Sequence, residues 1–416
     1  MTAEPDTGAI LDGYEARSWR AAAAGQRAAG TPFVLGRRDG AHVWNLEGTH
    51  RLLDATCSGG VHTLGHRNPV ILAAMHDALD RGLDGGLWMM PNAETLALQD
   101  ALAAASSPKL CRSILTLSAS QAADLALSFA FRLTGRHGIV AYRHGYHGNT
   151  GFSAMATGGE SEGIRAHYNL PDSASRFFDT YGDLGEVEAL LDANVAAVIL
   201  EPMEYETFAP APTGYLAGLA SLCRKRGILL IIDETRTGIG RTGPFWMCAG
   251  MGVEPDMIVC GKGLSGGLYP VAALVTTQAI HEACINTHAY AYTSSLGGNE
   301  LASAVGRAVV GVVTASTWAA DVAAIEARFG ERFAALRQRH QGVFGPGSIA
   351  GGIAAIGVAD RPTATRIARR LFDLGVLVHS VSVIDPVVLK FMPVLTAGTT
   401  VADEIADALE AAATSE

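Results

Sequence analysis

The stretch ILLIIDETRTGIGRTGPFWMCAGMGVEPDMIVCGKGLSGGLYP, Ile228 to Pro270, decides the fold. Its opening run, Ile228 to Ile232, is apolar, β-branched and of strand length, and it ends abruptly on Asp233. A second short apolar run, Met257 to Cys260, ends on Gly261-Lys262-Gly263. A carboxylate and a lysine are thus each placed at the carboxyl end of a buried strand, where open α/β sheets seat their ligands. Upstream, the pattern of strand, Gly/Ser turn and helix repeats. Ile114 to Leu117 leads through Ser118-Ala119-Ser120 into a helix from Gln121 to Leu133, Ile139 to Tyr142 leads into Tyr146-His147-Gly148, and Ala196 to Leu200 ends on Glu201-Pro202. Such alternation implies an α/β fold with a mostly parallel sheet flanked by helices.

On either side of this block the character changes. Residues 1–60 read as an N-terminal arm in which HVWNLEGTHRLLDAT forms a small antiparallel sheet, and a helix is expected from Pro69. Residues 61–305 form the large domain. Residues 306–416, with a long Ala-rich helical stretch, short strands and helices over Ala364–Leu374 and Val401–Ala412, read as a smaller α+β domain. Hydrophobic content of 49% and charged content of 17% describe a globular chain, not a disordered one. The formal charge of -10 argues against nucleic acid as a partner, and no apolar run reaches membrane-spanning length. Cys57, Cys111, Cys223, Cys248, Cys260 and Cys284 lack paired spacing, and no signal peptide is recognisable, so a cytoplasmic protein with reduced thiols is expected. The histidines show no metal-ligand spacing. Gly238-Ile239-Gly240-Arg241-Thr242-Gly243 matches a dinucleotide-binding fingerprint literally. It stands five residues beyond the strand and is followed by Pro244-Phe245-Trp246, a poor helix start, so that reading is rejected.

Asp233 and Lys262 together suit pyridoxal phosphate: the lysine binds the aldehyde covalently, and the carboxylate keeps the pyridine nitrogen protonated so that the ring draws electrons. The Asp-Glu pair, the Gly-x-Gly-Arg-x-Gly run and the lysine about thirty residues after the aspartate resemble the signature of the class III (ω-) aminotransferases. The resemblance covers nearly the whole chain and implies fold-type I, an aspartate aminotransferase-like architecture. It also implies a homodimer with shared active sites. By the same resemblance, Ser118, Ala119 and Ser120 hold the cofactor phosphate with backbone N–H groups at a helix start, and Tyr146 stacks on the pyridine face. His147 and Glu201 line the cofactor site. Ser294 and Ser295 reach the phosphate in the neighbouring subunit. Family members read Ser-Gly-Ser-Glu-Ala where this chain has Ala119 and Gln121. They usually carry glutamine where Arg236 stands, near the phenolic oxygen, and a cation there favours the phenolate.

For the substrate, Lys390 stands where many family members place a carboxylate-binding arginine, and lysine lacks the bidentate fork. Glu206 aligns with the glutamate that pairs with that arginine, and the Glu201–Glu206 segment, with Glu204 between, is rich in acids. An amine-rich substrate, an amino sugar, is expected. Cys57, in the segment implied to fold over the cofactor, offers a second acid opposite Lys262. These features are similar to the class III enzymes of aminoglycoside biosynthesis and imply epimerisation of the amine-bearing 6′-carbon of a gentamicin-type aminoglycoside. The alternative is ordinary aminotransfer between an amino sugar or other primary amine and a keto acid.

Overall fold

The computed structural model describes residues 6–87, 89–158, 169, 174–288 and 290–414. After the helices Thr7–Arg17 and Arg20–Ala28, strands β1 (Leu35–Asp39), β2 (His42–Asn45) and β3 (Arg51–Ala55) form an antiparallel meander. A helix follows at Pro69–Asp80, its proline in the first turn and Asn68 capping the N–H groups of Val70 and Ile71.

The central sheet contains β4 (Arg112–Thr116), β5 (Gly138–Tyr142), β6 (Ser175–Phe178), β7 (Val195–Leu200), β8 (Leu229–Asp233), β9 (Met257–Cys260) and β10 (Ala272–Thr276), in the order β4-β10-β9-β8-β7-β5-β6. β6, β5, β7, β8 and β9 run parallel, while β10 is antiparallel to both of its neighbours. Every residue of β5, β7 and β9 is buried, as expected of parallel strands covered on both faces. The helix Ala119–Thr134 packs Ala122, Ala123, Ala126, Leu127 and Ala130 into this core. Ser118 caps its start by accepting the Gln121 N–H, and left-handed Gly135 ends it.

The C-terminal part begins with the helix Trp318–Arg339. It continues through β11 (Phe344–Ala350), β12 (Ile353–Val358), β13 (Val376–Val378), β14 (Ser380–Val381) and β15 (Val388–Phe391), with helices Arg361–Asp373 and Thr400–Thr414. β11, β12, β15 and β14 form an antiparallel sheet in that order, whereas β13 pairs parallel with β3, Val376 opposite Leu53. The N-terminal arm and the C-terminal segment therefore share one sheet. This α/β core with a smaller α+β part has the fold-type I architecture. Among the described residues, no single helix is long and apolar enough to cross a membrane.

The glycine run Gly238–Gly243 is a packing device. A β-carbon on Gly238 would come within 2.9 Å of the Trp246 ring, and one on Gly240, whose φ is +73°, within 2.4 Å of Trp318 Nε1. That indole N–H donates to the Gly240 carbonyl at 2.8 Å, and no helix follows directly, consistent with setting the dinucleotide reading aside.

Candidate active site

Strand periodicity separates the two acids at the end of β8. Asp233 faces a cavity. Glu234 points the other way, where its carboxylate accepts the Cys248 N–H at 2.7 Å and the Thr237 hydroxyl at 2.5 Å, tying down the following loop. Burial raises the Glu234 carboxyl.

Asp233 Oδ2 lies 2.9 Å from His147 Nδ1, and both side chains are almost wholly buried. An ionised carboxylate only accepts, so Nδ1 carries the proton. The His147 backbone N–H donates to Thr157 Oγ1 at 2.9 Å, and that hydroxyl lies 2.8 Å from the Gly148 carbonyl, which fixes the histidine's loop. Burial alone would push the Asp233 carboxyl up. The hydrogen bond and charge of His147, with the backbone N–H of Thr235, outweigh it and hold the group below the usual carboxylate value. An acid kept anionic inside the protein is what a protonated ring nitrogen requires of its partner.

Lys262 follows β9 in a short 3-10 turn with a left-handed φ of 32°. Among the described residues its amine has no hydrogen-bond or ion-pair partner. Its pKa is lowered, first by burial and then by the charge of Arg236, while Glu201 and Asp233 pull the other way. An unpartnered amine whose pKa is lowered gives up its proton more readily and is the better nucleophile and proton acceptor for it. Arg236 is 2% exposed. Its Nη2 sits 3.0 Å from Glu201 Oε1, it donates to the carbonyls of Met203 and Tyr205, and its guanidinium lies 4.8 Å from both the Tyr205 and Phe208 rings. The cation expected at this position is therefore also half of a buried ion pair. The Glu201 carboxyl is raised by burial in spite of Arg236.

These groups surround a cavity of about 310 Å³. Ser118, Ala119, Ser120, Tyr146, His147, Glu201, Asp233, Arg236 and Lys262 all line it, so the structure brings together the greater part of the residues expected from the sequence. The first-turn N–H groups of Ala119 and Ser120 open onto it. Gly148 lets Ser120 approach, because a β-carbon there would lie 2.6 Å from the Ser120 hydroxyl. Tyr146 is 38% exposed at the edge, its ring 6.2 Å from that of Tyr205. Four buried polar atoms at the cavity lack a protein partner: His147 Nε2, Glu201 Oε2, Thr235 Oγ1 and Arg236 Nε. Buried groups of this kind are rarely left unpaired. Together with the anion-binding helix start, the carboxylate and the free amine, they fit a phosphorylated, heteroaromatic aldehyde such as pyridoxal phosphate.

Other expected residues lie elsewhere. Cys57 is fully buried, and its thiol approaches the carbonyls of His62 at 3.4 Å and Asp54 at 4.0 Å instead of the cavity. Burial pushes it up to about 12, against a smaller opposing pull from Arg241. In this conformation the expected placement of its thiol opposite Lys262 is not what is found: the segment is drawn in by hydrogen bonds from the Thr56 and Cys57 N–H groups to Asp54. Glu204 is turned into its own loop, where it accepts the Thr207 hydroxyl at 2.7 Å. Glu206 and Lys390 form a buried ion pair of 3.1 Å behind Tyr205, so neither lines the cavity. Ser294 accepts the Gly297 N–H at 2.8 Å, and Ser295 lines a separate hollow of about 400 Å³ with Leu87, Met89 and Met90. Sequence reasoning did not single out Thr235 or Tyr205, although both lie within motifs it quoted. His379 carried no sequence signal.

The family model Aminotransferase class-III matches residues 23–413. Acetylornithine aminotransferase of Corynebacterium efficiens is 34% identical over 395 residues, which cover 92% of each chain. Among solved structures, ornithine aminotransferase from Toxoplasma gondii aligns with a TM-score of 0.80 at 23% identity, covering 99% of this chain and 98% of that one. Taurine:2-oxoglutarate aminotransferase from Bifidobacterium kashiwanohense, in complex with pyridoxal phosphate and glutamate, aligns with a TM-score of 0.83 at 22% identity, covering 91% and 92%.

Proposed function

The chain belongs to the class III aminotransferase family, whose cofactor is pyridoxal 5′-phosphate, and on that premise we propose that it moves the amino group of a small primary amine to a keto acid. The observation that carries this reading is the unpartnered, buried Lys262 amine in one cavity with the His147–Asp233 pair. The sequence favoured epimerisation. The three relatives compared above, each named as an aminotransferase, favour ordinary aminotransfer.

Pyridoxal phosphate, when bound, would supply an electron-withdrawing ring that acidifies the C–H bond of the donor's amine-bearing carbon. Asp233 would hold the ring nitrogen, with His147 keeping the carboxylate ionised and oriented. Ala119 and Ser120 would hold the phosphate through N–H groups, Ser118 would fix the helix start, and Tyr146 would cover the ring face. Lys262 Nζ anchors the cofactor at rest and accepts the proton from the donor's amine-bearing carbon. Burial and Arg236 lower the pKa of that amine, which favours the form that accepts a proton. Lys390 is neutralised by Glu206 and Arg236 by Glu201, so neither offers a free charge to a carboxylate. This favours an amine-rich donor such as an amino sugar or a diamine.

The working unit in this reading is a homodimer. Leu87, Met89, Met90 and Leu96 are exposed by 71, 69, 64 and 58% around the hollow that holds Ser295. A second copy covering this apolar patch would carry Ser294 and Ser295 to the neighbouring phosphate.

A second reading, inversion of the amine-bearing carbon, is favoured by the strained segment beside Lys262. Cys57 and Ser58 both hold left-handed backbones, φ 46° and 49°, next to Gly59, whose β-carbon position lies 3.0 Å from Lys262 Nζ. One experiment separates the readings: cofactor-loaded enzyme in heavy water with an amino sugar, without and then with a keto acid. Loss of amine only when pyruvate or 2-oxoglutarate is supplied supports aminotransfer. Deuterium incorporation with inversion in the absence of keto acid supports epimerisation, and no reaction in either case refutes both.

A further inference from the structure

His379 lies between β13 and β14, where its backbone N–H donates to the Lys390 carbonyl at 3.0 Å. Its half-buried ring reaches inward. Ring atom Cε1 lies 3.7 Å from the point a Gly59 β-carbon would occupy, and Lys262 Nζ lies 3.0 Å from that same point. The imidazole and the Lys262 amine therefore border the same space over Gly59, the imidazole on the side formed by the C-terminal segment. Its other flank faces the aromatic wall, 5.8 Å from the Phe208 ring. Phe208 in turn lies against Arg236 and against Lys390, which Glu206 pairs.

Among the described residues, neither ring nitrogen of His379 has a hydrogen-bond partner. Burial, and then the charges of Lys390, Lys262, Arg236 and Arg241, bring its pKa down to about 3, so the ring is uncharged under working conditions. An uncharged imidazole has one nitrogen free to accept, and among the described residues no group donates to it.

We propose that His379 is a specificity-determining residue whose imidazole accepts a hydrogen bond from a hydroxyl or second amine that the substrate carries near its reacting carbon. The inference rests on the aminotransfer reading of the same site and narrows its substrate class to amino alcohols, amino sugars and polyamines. A plain alkylamine leaves the acceptor unsatisfied.

The test compares cofactor-loaded wild type, His379→Phe and His379→Asn with two amine donors, 6-amino-6-deoxyglucose and n-hexylamine, and pyruvate as acceptor. The quantity read is the ratio of kcat/KM for the sugar to that for the alkylamine. A net hydrogen bond contributes about 1 kcal/mol. The phenylalanine variant is therefore expected to lower the ratio by about fivefold, through KM for the sugar, and the asparagine variant, which keeps an acceptor, to recover part of the loss. A ratio unmoved by phenylalanine, or asparagine no better than phenylalanine, overturns the proposal. Should phenylalanine prevent folding, a sugar preference in the asparagine variant equal to that of His379→Ala does the same. Wild type inactive on both amines overturns the aminotransfer reading, and this inference with it.

Discussion

Replacing Arg236 with glutamine, the residue usual at this position in the family, tests the electrostatics of the site. Arg236 is 2% exposed, pairs with Glu201 at 3.0 Å and donates to two carbonyls. Removing one partner of a buried ion pair costs about 3–5 kcal/mol, because the other charge is left uncompensated. Here the Glu201 carboxyl is already raised by burial, so it takes up a proton when its partner goes, and the glutamine amide retains one donor. We therefore expect a loss at the lower bound, about 3 kcal/mol by urea denaturation, with about 2 kcal/mol regained in Arg236→Gln/Glu201→Gln. The same charges act on Lys262, Arg236 lowering its pKa and Glu201 raising it by less. The pH dependence of cofactor capture by the apoprotein, which needs the neutral amine, reads this directly. Its midpoint should move upward in Arg236→Gln and downward in Glu201→Gln. Midpoints that shift in the same direction, or a double variant no more stable than Arg236→Gln, would refute the argument.

Gly59→Ala forces a β-carbon to within 3.0 Å of Lys262 Nζ at a φ of +70°. It should lower turnover by about a hundredfold for a stability loss of only about 1–2 kcal/mol, as read by steady-state kinetics alongside denaturation; wild-type turnover would contradict it. His147→Phe removes the main group that holds the Asp233 carboxyl low. A depressed carboxylate stabilises the fold above its unfolded pKa and loses that contribution as pH falls through its folded value. The variant's acid-unfolding midpoint should accordingly move to higher pH, with a neutral-pH loss of about 2 kcal/mol. Lys262→Met should stabilise the apoprotein. With the lysine pKa lowered by folding, the unfolded chain binds more protons below its ordinary pKa of about 10.4, so the native state is penalised there. The rise in Tm should be larger at about pH 7 than at about pH 10; an equal or absent rise would count against burial of an unpaired amine.

The ends of β8 and β9 were legible because a buried parallel strand leaves an uninterrupted apolar run that stops at a polar residue, here Asp233 and Lys262. The helix Ala119–Thr134 announced itself through its serine cap and periodic apolar face. Strand direction left no such mark. Ala272–Thr276 is as apolar as its neighbours, yet it runs antiparallel between β4 and β9. Nor did the pairing of Val376–Val378 with β3, since it joins segments from opposite parts of the chain. At the site, residue type and order placed Asp233, Lys262 and the Ser118–Ser120 turn at one cavity, but side-chain direction was beyond them. The thiol of Cys57 turns toward the His62 carbonyl because Asp54 draws in the preceding backbone, a contact no pattern encodes. Glu204 and Glu206 look alike in sequence and differ in the fold only by which partner is near, Thr207 or Lys390. His379 comes to border the space over Gly59 beside Lys262 only through the fold of the C-terminal segment.

The central claim is that Lys262 carries the cofactor. The chain has four lysines: Lys109, Lys225, Lys262 and Lys390. Lys109 is held by Asp256 at 3.6 Å, Lys390 is paired with Glu206 at 3.1 Å, and Lys225 lies exposed at the end of its helix. Purified protein loaded with pyridoxal phosphate, reduced with borohydride and digested, can be mapped by mass spectrometry to the modified residue. The account predicts a single phosphopyridoxyl group on the peptide containing Lys262, absent from Lys262→Met; modification of another lysine, or of none, would contradict it.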